Sequence, residues 1–157
     1  MDDISFVPAA AADLPGVRAL LERCELTAED LGPIHLDHFV VCRTGDQLAG
    51  VVGLEIKGEL GLMRSLAVAP ELRGRRLGYA LWTRIHEVAR QRGIRRLYLL
   101  TTTAEALFSR WGFQRVPRDV VPEVIRATTQ FASLCPATAS VMVMDLAAAD
   151  GDQRVLT

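Results

Sequence analysis

Leu62-Met63-Arg64-Ser65-Leu66-Ala67-Val68-Ala69-Pro70 is followed, two residues later, by Arg73-Gly74-Arg75-Arg76-Leu77-Gly78, which runs straight on into Tyr79 to Arg92. Met63 to Val68 is short and apolar, as a buried strand requires, and Ala69-Pro70 closes it because proline has no amide to give to a ladder. From Leu77 the apolar residues Leu77, Ala80, Leu81, Ile85, Val88 and Ala89 recur at helical spacing, and Gly93 stands where a left-handed C-cap belongs. The Gly/Arg segment is therefore the loop that opens a helix after a buried strand.

Such a loop suits an anion. The first-turn amides of the helix have no intrahelical partner, the helix dipole favours negative charge, and Gly74 and Gly78 allow close backbone approach. Arg73, Arg75 and Arg76 add guanidinium groups suited to phosphate oxygens; the alternative is an arginine-rich helix start that is only solvated. A Walker loop needs Gly-Lys-Ser/Thr and a dinucleotide fold needs G-x-G-x-x-G. Neither is present, and Lys57, the one lysine in the chain, lies elsewhere.

The segment resembles motif A of the GNAT superfamily of N-acetyltransferases, Arg/Gln-x-x-Gly-x-Gly/Ala, with Arg76 in place of the first motif glycine. The resemblance implies that Arg73, Gly74, Arg75, Arg76, Leu77, Gly78 and Tyr79 hold the pyrophosphate of acetyl-CoA. It extends from Ile4 to about Leu146. Ile4 to Pro8 reads as a first strand, and Asp13 as the cap of a helix with Leu14, Val17, Leu20, Leu21 and Cys24 on its apolar face. Phe39 to Cys42 and Leu48 to Ile56 read as strands joined at Thr44-Gly45-Asp46. Arg96 to Leu100 is another strand, Thr103 to Arg110 a short helix ending in Trp111-Gly112-Phe113, and Val141 to Leu146 a last strand. Pro122 with Val124, Ile125, Thr128, Phe131 and Ala132 predicts an extra helix. The expectation is a single-domain α/β GNAT fold over residues 1–146, a mixed central sheet flanked by helices, with a tail at 147–157.

Three further stretches, Leu62 to Val68, Leu97 to Glu105, and Ile125 to Thr128 with Phe131 to Pro136, resemble the arsenic-resistance branch of the superfamily and, more distantly, the N-acetylglutamate synthase type. They imply a small amino-acid-like amine as acceptor, such as arsinothricin, a glutamate mimic. Acetylation of glutamate or another metabolite, a CoA-binding regulatory module without turnover, and capture of trivalent arsenic by Cys24, Cys42 and Cys135 are the alternatives.

Composition sets bounds. A chain of 157 residues supports one domain with a core, and a net charge of −1 gives no reason to expect nucleic acid. No signal peptide is evident, and no apolar run approaches the roughly 18 residues of a membrane helix. Three scattered cysteines fit reduced thiols in the cytoplasm. A homodimer is left open, and His35 and His38 have no convincing metal-ligand company.

By the resemblance, Leu66, Ala67 and Val68 offer backbone groups to the pantetheine arm, with an amide such as that of Leu66 polarising the thioester carbonyl. Relatives often carry Glu or His where this chain has Leu62 and Arg64. A hairpin turn at Lys57-Gly58 would pair Glu55 with Leu60 on the face of Arg64, making Glu55 the candidate base; strand alternation puts Leu62, Arg64, Leu66 and Val68 together. Arg64, costly to bury alone, reads as a clamp on the acceptor's carboxylate or as an internal ion pair with Glu55 or another acid. Phe108 stands where a tyrosine often serves as general acid, with Ser109 as a substitute. Thr101, Phe108 and Arg126 join Arg64 as acceptor-side candidates, Arg126 being otherwise a solvated cation.

Overall fold

The computed structural model describes residues 4–134 and 137–146. Its strands are β1 (Ile4–Pro8), β2 (Phe39–Thr44), β3 (Gln47–Lys57), β4 (Leu60–Val68), β5 (Arg96–Thr101), β6 (Gln114–Val116) and β7 (Ser140–Asp145), in one sheet ordered β1-β2-β3-β4-β5-β7-β6. The helices are α1 (Leu14–Arg23), α2 (Leu77–Gln91), α3 (Glu105–Arg110) and α4 (Glu123–Arg126). The sheet is mixed: β4 and β5 pair in parallel, while β1–β2, β2–β3, β5–β7 and β6–β7 are antiparallel. A parallel pair needs a crossover, and α2 supplies it.

Contacts divide the chain into two units, Met1–Glu55 with Met63–Val88, and Ile56–Leu62 with Ala89–Thr157. In the first, two glycines of β3 make room for bulk. A Cβ on Gly53 would lie 2.2 Å from the ring of Phe39, its cross-strand partner, and one on Gly50 would lie 2.8 Å from Leu81 Cδ1 of α2. In the second, Leu62, Tyr98, Val121, Ile125, Phe131 and Val141 form a buried cluster. Arg118 ties its covering segment down by donating to the Ala139 carbonyl (3.0 Å) and stacking over Phe131.

Three helices end alike. Beyond α1, α2 and α3, residues Glu25, Gly93 and Gly112 take positive φ (59°, 78° and 110°), and the next amides, of Leu26, Ile94 and Phe113, donate back to the carbonyls of Leu21, Ala89 and Phe108. This is the Schellman closure, in which the residue after the left-handed one packs back on the helix. Phe113 meets Phe108 edge-on with ring centres 5.9 Å apart. The Gly112-Phe113 pair at the end of α3 thus has a local physical reason.

Four expectations shift. Asp13 makes no side-chain cap on α1; its carboxylate accepts from the Ala10 amide at 2.8 Å, one turn earlier, and from Arg43. The helix expected from Thr103 begins at Glu105, since the Thr101 hydroxyl accepts from the Ala104 amide (2.9 Å) and turns the chain first. The extra helix is a single turn at Glu123–Arg126, followed by a wider π-type turn at Gln130–Leu134. The hairpin turn lies at Gly58 and Glu59. Moving a two-residue turn by one position moves every cross-strand partner by two, so the face of Glu55 is unchanged. The expected tail, 147–157, and Cys135 lie outside the described residues.

Candidate active site

β4 brings the site together. Its parallel pairing with β5 covers Leu60 to Leu62. Within the first unit, Ser65 takes φ +61°, a left-handed residue inside a strand, which marks a bulge that re-aims the chain. Alternation counted from Leu62 and Arg64 therefore does not carry across Ser65 to Leu66 and Val68. Serine gives no sequence warning of such a turn, and the side chain found there, 8% exposed, accepts from Arg64 Nε through its hydroxyl at 3.0 Å.

The Arg64 side chain is 1% exposed, and its two terminal nitrogens are held by acids of its own chain. Nη1 donates to Glu55 Oε2 at 2.8 Å and to Asp30, and Nη2 donates to Asp30 Oδ1 at 2.8 Å. Of the two roles open to Arg64, this geometry shows the internal ion pair, with Asp30 and Glu55 as its acids. Burial disfavours the charged form of Arg64, but the bonds from Asp30 and Glu55 outweigh it and raise its pKa further. Burial likewise opposes ionisation of Asp30, and Arg64 more than offsets that, with smaller help from His35, so the carboxyl sits below its usual range. Asp30 was not among the expected residues. It lies in the aperiodic stretch between α1 and β2, 34 positions from its partner. The available clue was the buried arginine, which demands anions, with Glu25, Glu29, Asp30 and Asp37 all in that stretch.

The second part of the site is the loop after β4. Gly74 takes φ +90° with nothing within 4 Å of its missing Cβ, and Arg76 takes φ +62°. The position where the family pattern prefers glycine is one where the backbone is left-handed, and Arg76 adopts that conformation despite its side chain. The first helical bond of α2 runs from the Ala80 amide to the Arg76 carbonyl (3.1 Å), so the amides of Leu77 and Gly78 precede the helical ladder. Arg73, Arg75, Arg76 and Tyr79 are exposed around them. Open backbone, a 15-residue helix behind it and three guanidinium groups fit a pyrophosphate. Arg73 also folds back: Nε donates to the Val68 carbonyl at 3.3 Å and Nη2 to Cys24 Sγ at 3.4 Å, while Cys24 itself donates to Val68 at 3.5 Å. Val68 and Leu66 are half-buried and Ala67 is buried.

Thr101, Phe108 and Arg126 belong to the second unit. The Thr101 hydroxyl is occupied by Ala104. Phe108 is buried between Trp111 and Phe113, with centroids at 5.4 and 5.9 Å. Arg126 is exposed and pairs with Glu123 at 3.0 Å, one helical turn back. Cys42 is fully buried and its thiol is pushed up by burial, which disfavours the thiolate that arsenic capture needs. Among the described residues there is no group of three or more His, Cys, Asp or Glu that could hold a metal, and no helix long and apolar enough to cross a membrane.

Comparison with known proteins gives the site its context. An amino-acid acetyltransferase of Neisseria meningitidis is 28% identical over 131 residues, 78% of this chain and 30% of the relative. One of Salmonella typhi is 29% identical over 92 residues, 57% of this chain and 21% of the relative. The chain thus spans less than a third of the length of these curated relatives. Among solved structures, N-acetylglutamate synthase from Neisseria gonorrhoeae complexed with coenzyme A and N-acetyl-glutamate superposes with a TM-score of 0.80 at 25% identity, covering 92% of this chain and 35% of that one. Rv2747 from Mycobacterium tuberculosis, in complex with CoA and NLQ, shares the fold with a TM-score of 0.74 at 23% identity, over 90% and 98% of the two chains. The curated relatives are amino-acid acetyltransferases, and none of these matches points to the arsenic-resistance branch. The acetyltransferase (GNAT) family matches residues 14–113, which include α1, β2, β3, the bulged β4, the Gly/Arg loop, α2 and the Gly112-Phe113 closure; the chain belongs to that family.

Proposed function

We propose that this chain is an acetyl-CoA-dependent N-acetyltransferase that acts by direct transfer to the α-amine of a small acidic amino acid of the glutamate type. The observation that carries this reading is the Glu55 carboxylate, fixed by Arg64 with its side chain still 16% exposed. The relatives' amino-acid acceptors support the substrate class.

Acetyl-CoA, when bound, supplies an activated thioester. Leu77, Gly78 and Tyr79 then present amides to its pyrophosphate, with Arg75 and Arg76 adding charge. Backbone groups of Leu66, Ala67 and Val68 orient the thioester arm, and an amide from this set stabilises the negative charge that builds on the carbonyl oxygen. An ammonium has no lone pair, so Glu55 takes the proton, directly or through one water, before attack. Phe108 offers no phenol to the departing thiol. Near pKa 8.5 a thiolate leaves adequately at neutral pH without a dedicated acid.

The test is a screen of acetyl-CoA consumption against glutamate, other amino acids, aminophosphinates and arsinothricin, with Glu55→Gln in parallel. Turnover of glutamate-like acceptors is expected, with kcat/KM about 10²-fold lower in Glu55→Gln at unchanged acetyl-CoA affinity. Preference for arsinothricin over glutamate would assign the finer, arsenic-related acceptor. Tight CoA binding without turnover of any acceptor would replace the reading with a regulatory CoA-binding module.

A further inference from the structure

Arg64 divides its guanidinium unequally. Asp30 receives a two-pronged hold from Nη1 and Nη2, whereas Glu55 receives the single bond from Nη1 at 2.8 Å. A planar guanidinium prefers to grip one carboxylate with both arms, and Asp30 occupies that grip. With one guanidinium and two carboxylates the cluster carries a net negative charge of one, which suits an arriving ammonium.

From this sharing we infer that Asp30 is a positioning residue for the transfer reaction, which withholds the Arg64 fork from Glu55 and so keeps Glu55 available as a proton acceptor. The inference rests on the reading of Glu55 as the base. A carboxylate gripped by both arms of an unshared arginine is stabilised as an anion and takes up a proton poorly. Asp30 counters this twice, by holding Nη2 and by placing a second negative charge on the same nitrogen that Glu55 uses. Among the described residues, Glu55 pairs with Arg64 of β4, whose guanidinium also holds Asp30 from the stretch before β2, and His35 acts on Asp30. His35 Nδ1 accepts from the Gly32 amide at 3.0 Å.

The bland role for Asp30 is neutralisation of a buried arginine, and the pH profile tells the two apart. In the intact chain, kcat/KM for glutamate is measured against pH for wild type, Asp30→Asn and Asp30→Glu. Without Asp30 the Arg64 fork is free to turn to Glu55, so the acid limb of Asp30→Asn should move toward lower pH. Its plateau should fall, and Asp30→Glu should restore both. A folded Asp30→Asn protein with an unmoved acid limb overturns the inference. If that variant does not fold, the 13C carboxyl resonance of Glu55 in wild type, assigned by its absence in Glu55→Gln, decides. A second step coincident with the titration of Asp30 is expected, and a single uncoupled step overturns the inference. Full activity in Glu55→Gln would remove the base itself; an inactive Glu55→Gln beside an unshifted Asp30→Asn would remove only the role of Asp30.

Discussion

Glu55 Oε2 lies 2.8 Å from Arg64 Nη1, a contact between adjacent strands made by side chains nine residues apart. The pair replaces apolar packing at this level of the strands with charge, which is stable only while both signs are present. Arg64→Met would leave Asp30 and Glu55 largely buried without a counter-ion, and about 3–5 kcal/mol of stability should be lost. Arg126→Ala, at an exposed pair, should change stability by no more than about 0.5 kcal/mol. Urea denaturation of the two variants checks this, and equal effects would show that the Arg64 cluster is not effectively buried.

Asp30 makes stability depend on acid. Because Arg64 holds its carboxyl below the ordinary value, the unfolded chain binds this proton more readily than the folded one. The contribution is fully present above the unfolded aspartate pKa, near 4, and is lost as pH falls through the lower folded value. The stability gap between wild type and Asp30→Asn, from denaturation midpoints at pH 7 and pH 3, should therefore narrow at pH 3. A gap that stays constant would place the source elsewhere.

Gly78→Val separates ligand approach from folding. A Cβ at residue 78 would meet Val68 Cγ2 at 3.9 Å, an ordinary contact, so the fold accommodates it. Acetyl-CoA affinity measured by calorimetry should nevertheless drop at least about tenfold, because the branched side chain stands where the pyrophosphate approaches. Unchanged affinity in the folded variant would move the diphosphate away from this loop.

At Arg76 backbone and charge can be varied apart. Both Arg76→Gly and Arg76→Ala remove the guanidinium, but only glycine relieves the cost of φ +62°. The glycine variant should be the more stable of the two by about 1 kcal/mol, while both weaken acetyl-CoA binding alike. Equal melting temperatures would mean that the loop relaxes out of the left-handed conformation.

Elements with a strong period or strong punctuation could be placed from residue order alone. α2 begins at Leu77 and closes at Gly93 as its spacing and glycine indicate, and β1 matches its expected bounds. Features governed by distant partners could not. The bulge at Ser65 has no compositional sign, Asp13 is drawn away from its helix by Ala10 and Arg43, and Asp30 joins the site only because the chain returns it to Arg64. For the same reason Arg64 could be recognised as needing an anion, while the identity of that anion could not be read from sequence spacing.

The missing side chain at Gly50 has reach beyond β3. Leu81 Cδ1 fills the room that a methyl group would take, one turn inside the helix whose first amides face the anion loop. A methyl group at residue 50 would press on Leu81 of α2 and on the Ala67 carbonyl, 3.0 Å away, so a larger residue there would push on the helix that begins at Leu77. Residue 50 is therefore a place from which a substitution on β3 can disturb α2 without touching the Gly/Arg loop itself.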